Sequence, residues 1–236
     1  MLACARYSGS EAMGQRSRRA RRCDRCRMLV DRCICAHIPR IATDARLCLV
    51  MHRRELRKTT ATGPLALAAL ANSELHVQGV PQQPLDLRHL GQEGRRVVVL
   101  FPSEEARLLD RAFVDEDRRP TTLVVPDGNW SQATRVPKRI PGLIGAETVA
   151  LPPGPPTRWG IRRPTRTDGL ATFEAIARAF GILASPREQE QLEALFDLMV
   201  ATTFAARGYD KQGNPIRSSS ARDGETPDVD PARNTA

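Results

Sequence analysis

The sequence predicts an α/β protein with a mostly parallel sheet, helices on both of its faces, and a small cysteine-rich segment ahead of it. Three observations carry that prediction. Apolar runs at 47–51, 95–101, 121–125 and 147–151 are continuous rather than alternating, the pattern of strands buried on both faces. Segments with helix signals separate these runs, which favours parallel pairing through crossovers. Four of the six cysteines, Cys23, Cys26, Cys33 and Cys35, lie within thirteen residues of one another.

Residues 1–20 read as a flexible basic arm, 21–40 as a Cys4 metal-binding segment, 41–209 as the main domain and 210–236 as a polar, disordered tail. In the main domain the run at 47–51 is a buried strand, with Cys48 acting as a small hydrophobe. Gly63-Pro64 opens a helix that ends near Ala71, with proline where a first turn tolerates it. After the strand at 95–101, Ser103 is expected to cap a helix whose first turn carries Glu104 and Glu105. A turn at Pro126-Asp127-Gly128 follows the third strand, and a short helix begins at Trp130. The proline-rich stretch 151–164 reads as an irregular loop. One helix spans 172–183. Ser185-Pro186-Arg187-Glu188 then caps another, with Leu192, Leu195, Phe196, Met199, Val200 and Phe204 on one face and Gly208 as its stop. Ligands of parallel sheets bind beyond the carboxyl ends of strands. The loops after 101, 125 and 151 are therefore the places to look.

The composition narrows the partners. A formal charge of +9 suits a polyanion, and nucleic acid is the commonest. Seven arginines fall between Arg16 and Arg27, and His52-Arg53-Arg54-Glu55-Leu56-Arg57-Lys58 forms a second basic block. No apolar run is long enough to cross a bilayer and the N-terminus lacks the apolar core of a signal peptide, so cytoplasm is the expected address. Six cysteines in that compartment argue against a disulfide framework. Four thiolates suit structural zinc, while the tight Cys33-x-Cys35 spacing leaves an iron–sulfur cluster or incidental thiols open.

Several short motifs together resemble the DTW-domain family, over about 23–207. They are the cysteine cluster, His52 to Thr60 with Thr62-Gly63, Asn72-Ser73, Leu100-Phe101-Pro102-Ser103-Glu104-Glu105-Ala106, Asp127-Gly128-Asn129-Trp130-Ser131-Gln132-Ala133, Arg162-Arg163-Pro164, and Leu170-Ala171-Thr172-Phe173-Glu174-Ala175. Each is weak alone, but their order and spacing are specific. Asn129 stands where the family usually has Thr, Ala61 where Asn is expected, and Trp159 replaces a tyrosine. The resemblance implies a SPOUT-like fold with a knotted C-terminal part. It also implies an S-adenosylmethionine-dependent transferase placing the 3-amino-3-carboxypropyl group on N3 of a tRNA uridine and releasing methylthioadenosine. A SPOUT-type RNA methyltransferase and a non-catalytic zinc-dependent RNA-binding module are the alternatives.

On that resemblance Asp127 is the catalytic candidate, as acceptor of the uracil N3 proton; otherwise it is an Asp-Gly turn former. Trp130 is either a base-stacking platform or a core residue. Leu100, Pro102, Ser103, Gly128, Thr172 and Glu174 join Asp127 and Trp130 as donor-binding candidates. Glu174 has a helix-dipole role as its alternative. Arg162 would grip a carboxylate or phosphate, or else sit on the surface. His52 and Glu55 are expected to make structural hydrogen bonds. Arg18, Arg19, Arg21, Arg22, Arg53, Arg54, Arg57 and Lys58 are the candidate RNA contacts.

Overall fold

The computed structural model of the chain describes residues 21–161 and 169–210. The expected arm at 1–20 with Arg18 and Arg19, the loop position Arg162, and the tail from 211 onward lie outside the described residues.

Six strands, all parallel, form the sheet: β1 (Arg46–His52), β2 (Ser73–Gln78), β3 (Arg96–Leu100), β4 (Arg107–Leu108), β5 (Thr121–Asp127) and β6 (Glu147–Ala150), in the order β2-β1-β5-β3-β6-β4. The continuous apolar runs are the central strands. β1 and β5 lie side by side with Leu49 opposite Val125 and Met51 opposite Asp127. Alternate residues feed two cores. On one face Leu47, Leu49, Leu123, Val125, Val98 and Leu100 pack under α1 (Gly63–Ala69), α5 (Thr172–Leu183) and α6 (Pro186–Ala205). On the other, Cys48, Val50, Val99 and Val124 pack against Leu87, Leu90 and the two short helices α3 (Trp130–Ala133) and α4 (Val136–Arg139). Cys48 is fully buried there, as a small hydrophobe would be.

The terminal helices follow their sequence signals. Phe173 of α5 stacks on Phe196 of α6 with ring centroids 5.4 Å apart, and both are fully buried. Past α6, Gly208 takes φ +79° while Tyr209 N–H reaches Phe204 O and Gly208 N–H reaches Ala205 O, the Schellman arrangement that ends a helix on glycine.

One expectation fails. Ser103 caps no helix: residues 103–106 form a turn, 107–108 extend along β6 as an edge strand, and Leu109 is fully buried. The helix that follows, α2 (Arg111–Glu116), starts eight residues after Ser103 and is capped by Asp110, whose carboxylate accepts from Phe113 N–H at 2.8 Å. Two sound caps lay close together in sequence. Burial of Leu109 and pairing with β6 selected the second. β2 was not expected at all.

Arg96 on β3 is 4% exposed and lies over the Phe113 ring at 3.7 Å, with its guanidinium held by both oxygens of Glu147 at 2.8 and 2.7 Å. This pairing holds the Glu147 carboxyl below the usual glutamate range. A depressed folded value means that the pair's contribution is present above the unfolded pKa, about 4.3, and is lost as pH falls through the folded value. Glu147→Gln should therefore lower the melting temperature at neutral pH and narrow its gap to wild type as pH drops below about 4. A gap constant with pH would refute this.

Candidate active site

Asp127 ends β5 at the carboxyl edge of the sheet, 6% exposed. Three segments distant in sequence converge on it. Thr172, the first residue of α5, donates its hydroxyl to Asp127 Oδ1 at 2.8 Å. Gly63, the first residue of α1, is pressed so close that a Cβ there would lie 2.8 Å from Asp127 Oδ2. Thr62 Oγ1 in turn accepts from Phe173 N–H at 3.2 Å, locking the starts of the two helices together. The third segment is the cysteine module, through Arg27. Its backbone sits at φ +62°, and its guanidinium donates to Leu56 O at 2.5 Å. Burial holds the Arg27 guanidinium below its ordinary value, the positive charge of Arg22 adds to that, and the Asp127 carboxylate opposes both.

Beyond Asp127 the chain enters α3 through a capping box. Asn129 Oδ1 accepts from Gln132 N–H at 2.9 Å, and Gln132 Oε1 accepts from Asn129 N–H at 2.9 Å. An N-cap needs a side-chain oxygen, which Asn and Thr both supply, so Asn129 does the work of the usual Thr. Asn129→Ala should cost about 1 kcal/mol in denaturant unfolding, while Asn129→Thr should cost under about 0.5 kcal/mol. Equal losses for the two would remove the cap as the explanation.

Trp130, 42% exposed, rests on Phe101 at the end of β3, with ring centroids 4.7 Å apart. It is therefore not a core tryptophan. Leu100 is buried beneath, while Pro102 and Ser103 are exposed on the loop above it. With no helix opening at Ser103, that loop has no helix N-terminus to offer an anion.

The remaining candidates make structural contacts of their own. Glu174, 3% exposed, accepts from Thr157 Oγ1, from Arg158 N–H at 2.7 Å and from Ala171 N–H at 3.0 Å. It fastens the loop after β6 to the start of α5, a positioning role. His52 closes β1 and accepts from Arg54 N–H at 3.2 Å; burial first, then the charges of Arg54 and Arg53, hold its imidazole below the ordinary value. Glu55 is buried and ion-paired to Lys58. His52 and Glu55 thus have the structural partners expected of them.

The cysteines form a compact cluster. Cys23 Sγ lies 3.4 Å from Cys35 Sγ and Cys26 Sγ 3.7 Å from Cys33 Sγ, with no disulfide among them and all four sulfurs within 4.8 Å of one another. Tetrahedral zinc with Zn–S bonds near 2.3 Å places its sulfurs about 3.8 Å apart, so the four sulfurs already lie near the spacing such an ion needs. Burial alone would raise the Cys23 thiol. Hydrogen bonds from the N–H groups of Cys26 and Arg25 and from neighbouring thiols outweigh it and bring the thiol down to about 6. The module packs on the main core through Cys26, Met28 and Ile34.

Arg21, Arg22 and Arg25 are exposed on this module, and Arg53, Arg54 and Arg57 on the turn after β1. The bond from Arg27 to Leu56 O joins module and turn, so two basic runs apart in sequence become neighbours beside Asp127. Reading the sequence alone missed Arg27 and Gly63. Gly63 had a signal, the Thr-Gly pair after the second basic block; Arg27 had none.

A family model described as the DTW domain matches residues 20–204. The chain belongs to that family. Among curated proteins it is 25% identical over 177 residues to "tRNA-uridine aminocarboxypropyltransferase 2" of Macaca fascicularis, covering 71% of this chain and 58% of that protein. The same name attaches to relatives from Drosophila melanogaster, 25% identical over 179 residues with 73% and 70% covered, and Mus musculus, 25% identical over 167 residues with 68% and 56% covered. This DTW chain thus spans little more than half the length of the two mammalian relatives. No solved structure matches it. Asp127, Asn129, Trp130 and Gln132, which build the turn, cap and platform above, are the residues of the motif that resembles the family's name.

Proposed function

We propose that this DTW protein transfers the 3-amino-3-carboxypropyl group of S-adenosylmethionine to N3 of a uridine in tRNA. The observation that carries the proposal is the placement of Asp127: a buried carboxylate at the carboxyl edge of a parallel sheet, beside an exposed aromatic platform and a paired basic surface, in a chain whose relatives bear that activity's name.

The chemistry asks for few groups. Uracil N3 must give up its proton and attack the carbon γ to the donor's carboxyl carbon; the new C–N bond forms as the C–S bond breaks, and sulfur keeps the electron pair in methylthioadenosine. Asp127 accepts the N3 proton, directly or through one water. Thr172 and the backbone at Gly63 fix the carboxylate's direction. Trp130 stacks on a base or on the donor's adenine. Leu100, Pro102, Ser103, Gly128 and Thr172 line the donor's place, and Glu174 holds the loop that closes it. Arg27 supplies a partly buried positive charge suited to the donor's carboxylate. Arg162, outside the described residues, is assigned the same kind of contact.

Cys23, Cys26, Cys33 and Cys35 would hold one structural zinc ion, which fixes the fold of 21–40 and takes no part in transfer. Arg21, Arg22, Arg53, Arg54 and Arg57 contact RNA phosphates, and Arg18 and Arg19, outside the described residues, are assigned the same role. Lys58, paired with Glu55, contributes less. Among the described residues no helix is long and apolar enough to cross a membrane; a cytoplasmic location is part of the same proposal. The SPOUT-type knotted C-terminus belongs to the same reading and rests on the family resemblance.

The test uses donor carrying tritium in its methyl group and a carbon label in its carboxyl group. The carbon label should enter tRNA transcripts while tritium stays with the small molecule released. Tritium in the RNA would make the protein a methyltransferase, and neither label in the RNA would leave a binding module.

A further inference from the structure

The sheet face opposite Asp127 carries a second group of metal-type donors. β1 and β2 pair with Cys48 opposite Glu74 and Val50 opposite His76, so Cys48, Glu74 and His76 point to the same side. The ligand atoms of these three lie within 4.8 Å of one another. A fourth donor comes from the segment folded over that face, where Leu87 and Leu90 are fully buried against Cys48 and hold His89 between them. His76 Nε2 lies 3.0 Å and His89 Nε2 3.9 Å from the same oxygen, Glu74 Oε2. The other carboxylate oxygen, Oε1, is buried with no hydrogen-bond partner among the described residues, and its nearest cation, Arg46, stands off at 4.0 Å.

We propose that Cys48, Glu74, His76 and His89 form a second metal site, for a divalent transition ion of the zinc class. The donor set is one thiol, one carboxylate and two imidazoles, the mixture that borderline-soft ions select over magnesium or calcium. Ligand atoms around tetrahedral zinc stand roughly 3.3–3.8 Å apart; His76 and His89 approach Glu74 Oε2 at 3.0 and 3.9 Å and Cys48 lies within 4.8 Å of Glu74 and His76, so His89 swings inward to complete the shell. A simple His76–Glu74 ion pair accounts for one of these contacts. It does not account for a second imidazole converging on the same oxygen, a buried thiol alongside, and a buried carboxylate oxygen without a donor. Glu74 and His76 are partly exposed and His89 is nearly half exposed, which leaves an entry path along the open edge of β2. The bound ion would clasp that edge strand and the segment 79–95 to the sheet, away from transfer chemistry.

The test is metal content of the full chain, by mass spectrometry of protein reconstituted with zinc and freed of excess, with the Cys23/Cys26/Cys33/Cys35 cluster intact. His76→Ala/His89→Ala should carry one equivalent less than wild type. His89→Gln, at a position whose side chain is nearly half exposed, should weaken zinc binding at this site tenfold or more. Equal zinc content in wild type and the double variant, together with unchanged affinity in His89→Gln, would overturn the proposal. Loss of the equivalent in His89→Gln alone would sustain it even if the double variant failed to fold.

Discussion

Asp127→Asn should bind S-adenosylmethionine nearly as wild type does and lose transfer by about 10²–10⁴-fold, the range expected when a proton acceptor is removed. The substitution is close to isosteric. An asparagine oxygen can still accept the Thr172 hydroxyl now 2.8 Å from Asp127 Oδ1, so the α5 junction and the melting temperature should hold. The amide cannot take a proton at neutral pH. Single-turnover rates on tRNA transcripts, with donor affinity measured separately, split the two effects. Transfer within a few-fold of wild type would take Asp127 out of proton transfer; a collapse in stability would instead make it a structural anchor for α1 and α5.

The second large effect is expected at the cysteine module. Cys26→Ser, or removal of metal by chelation, should unfold 21–40, lower the melting temperature by several degrees and abolish most transfer although no cysteine belongs to the transfer site. The reason is the path through Arg27. Cys26 is almost fully buried, Met28 receives the Thr203 hydroxyl at its sulfur at 3.7 Å, and Arg27 between them reaches Leu56 O beside Asp127. Loss of the metal-held turn therefore withdraws a partly buried cation from the site and separates the two basic surfaces. Structural zinc commonly supplies the folding free energy of segments this short. An unchanged melting curve and unchanged tRNA affinity after verified metal removal would count against a structural metal.

The sequence signals differed in what they could reach. Buried central strands announce themselves through unbroken apolar runs, and α5 and α6 through periodicity and caps, so those elements were legible. β2 was not: its residues Ser73–Gln78 are half-buried and mixed in polarity, because an edge strand in this sheet has little apolar surface to cover. Ser103 and Asp110 are both sound caps, and only the burial of Leu109 decides between them, a fact of packing absent from local sequence. The site shows the same division. Asp127, Trp130 and the cysteine spacing stood out as motifs. The contacts that make Asp127 a centre come from Gly63, Thr172 and Arg27, which lie 64, 45 and 100 positions away, and no spacing rule links residues so far apart.

The central claim is most directly tested by the adenosine compound released. The protein is incubated with S-adenosylmethionine with and without unmodified tRNA transcripts, and the small molecules are identified by mass spectrometry. The account predicts methylthioadenosine that appears only when tRNA is present, in amounts matching aminocarboxypropyl-uridine in the digested RNA. Tally of S-adenosylhomocysteine in its place would contradict it.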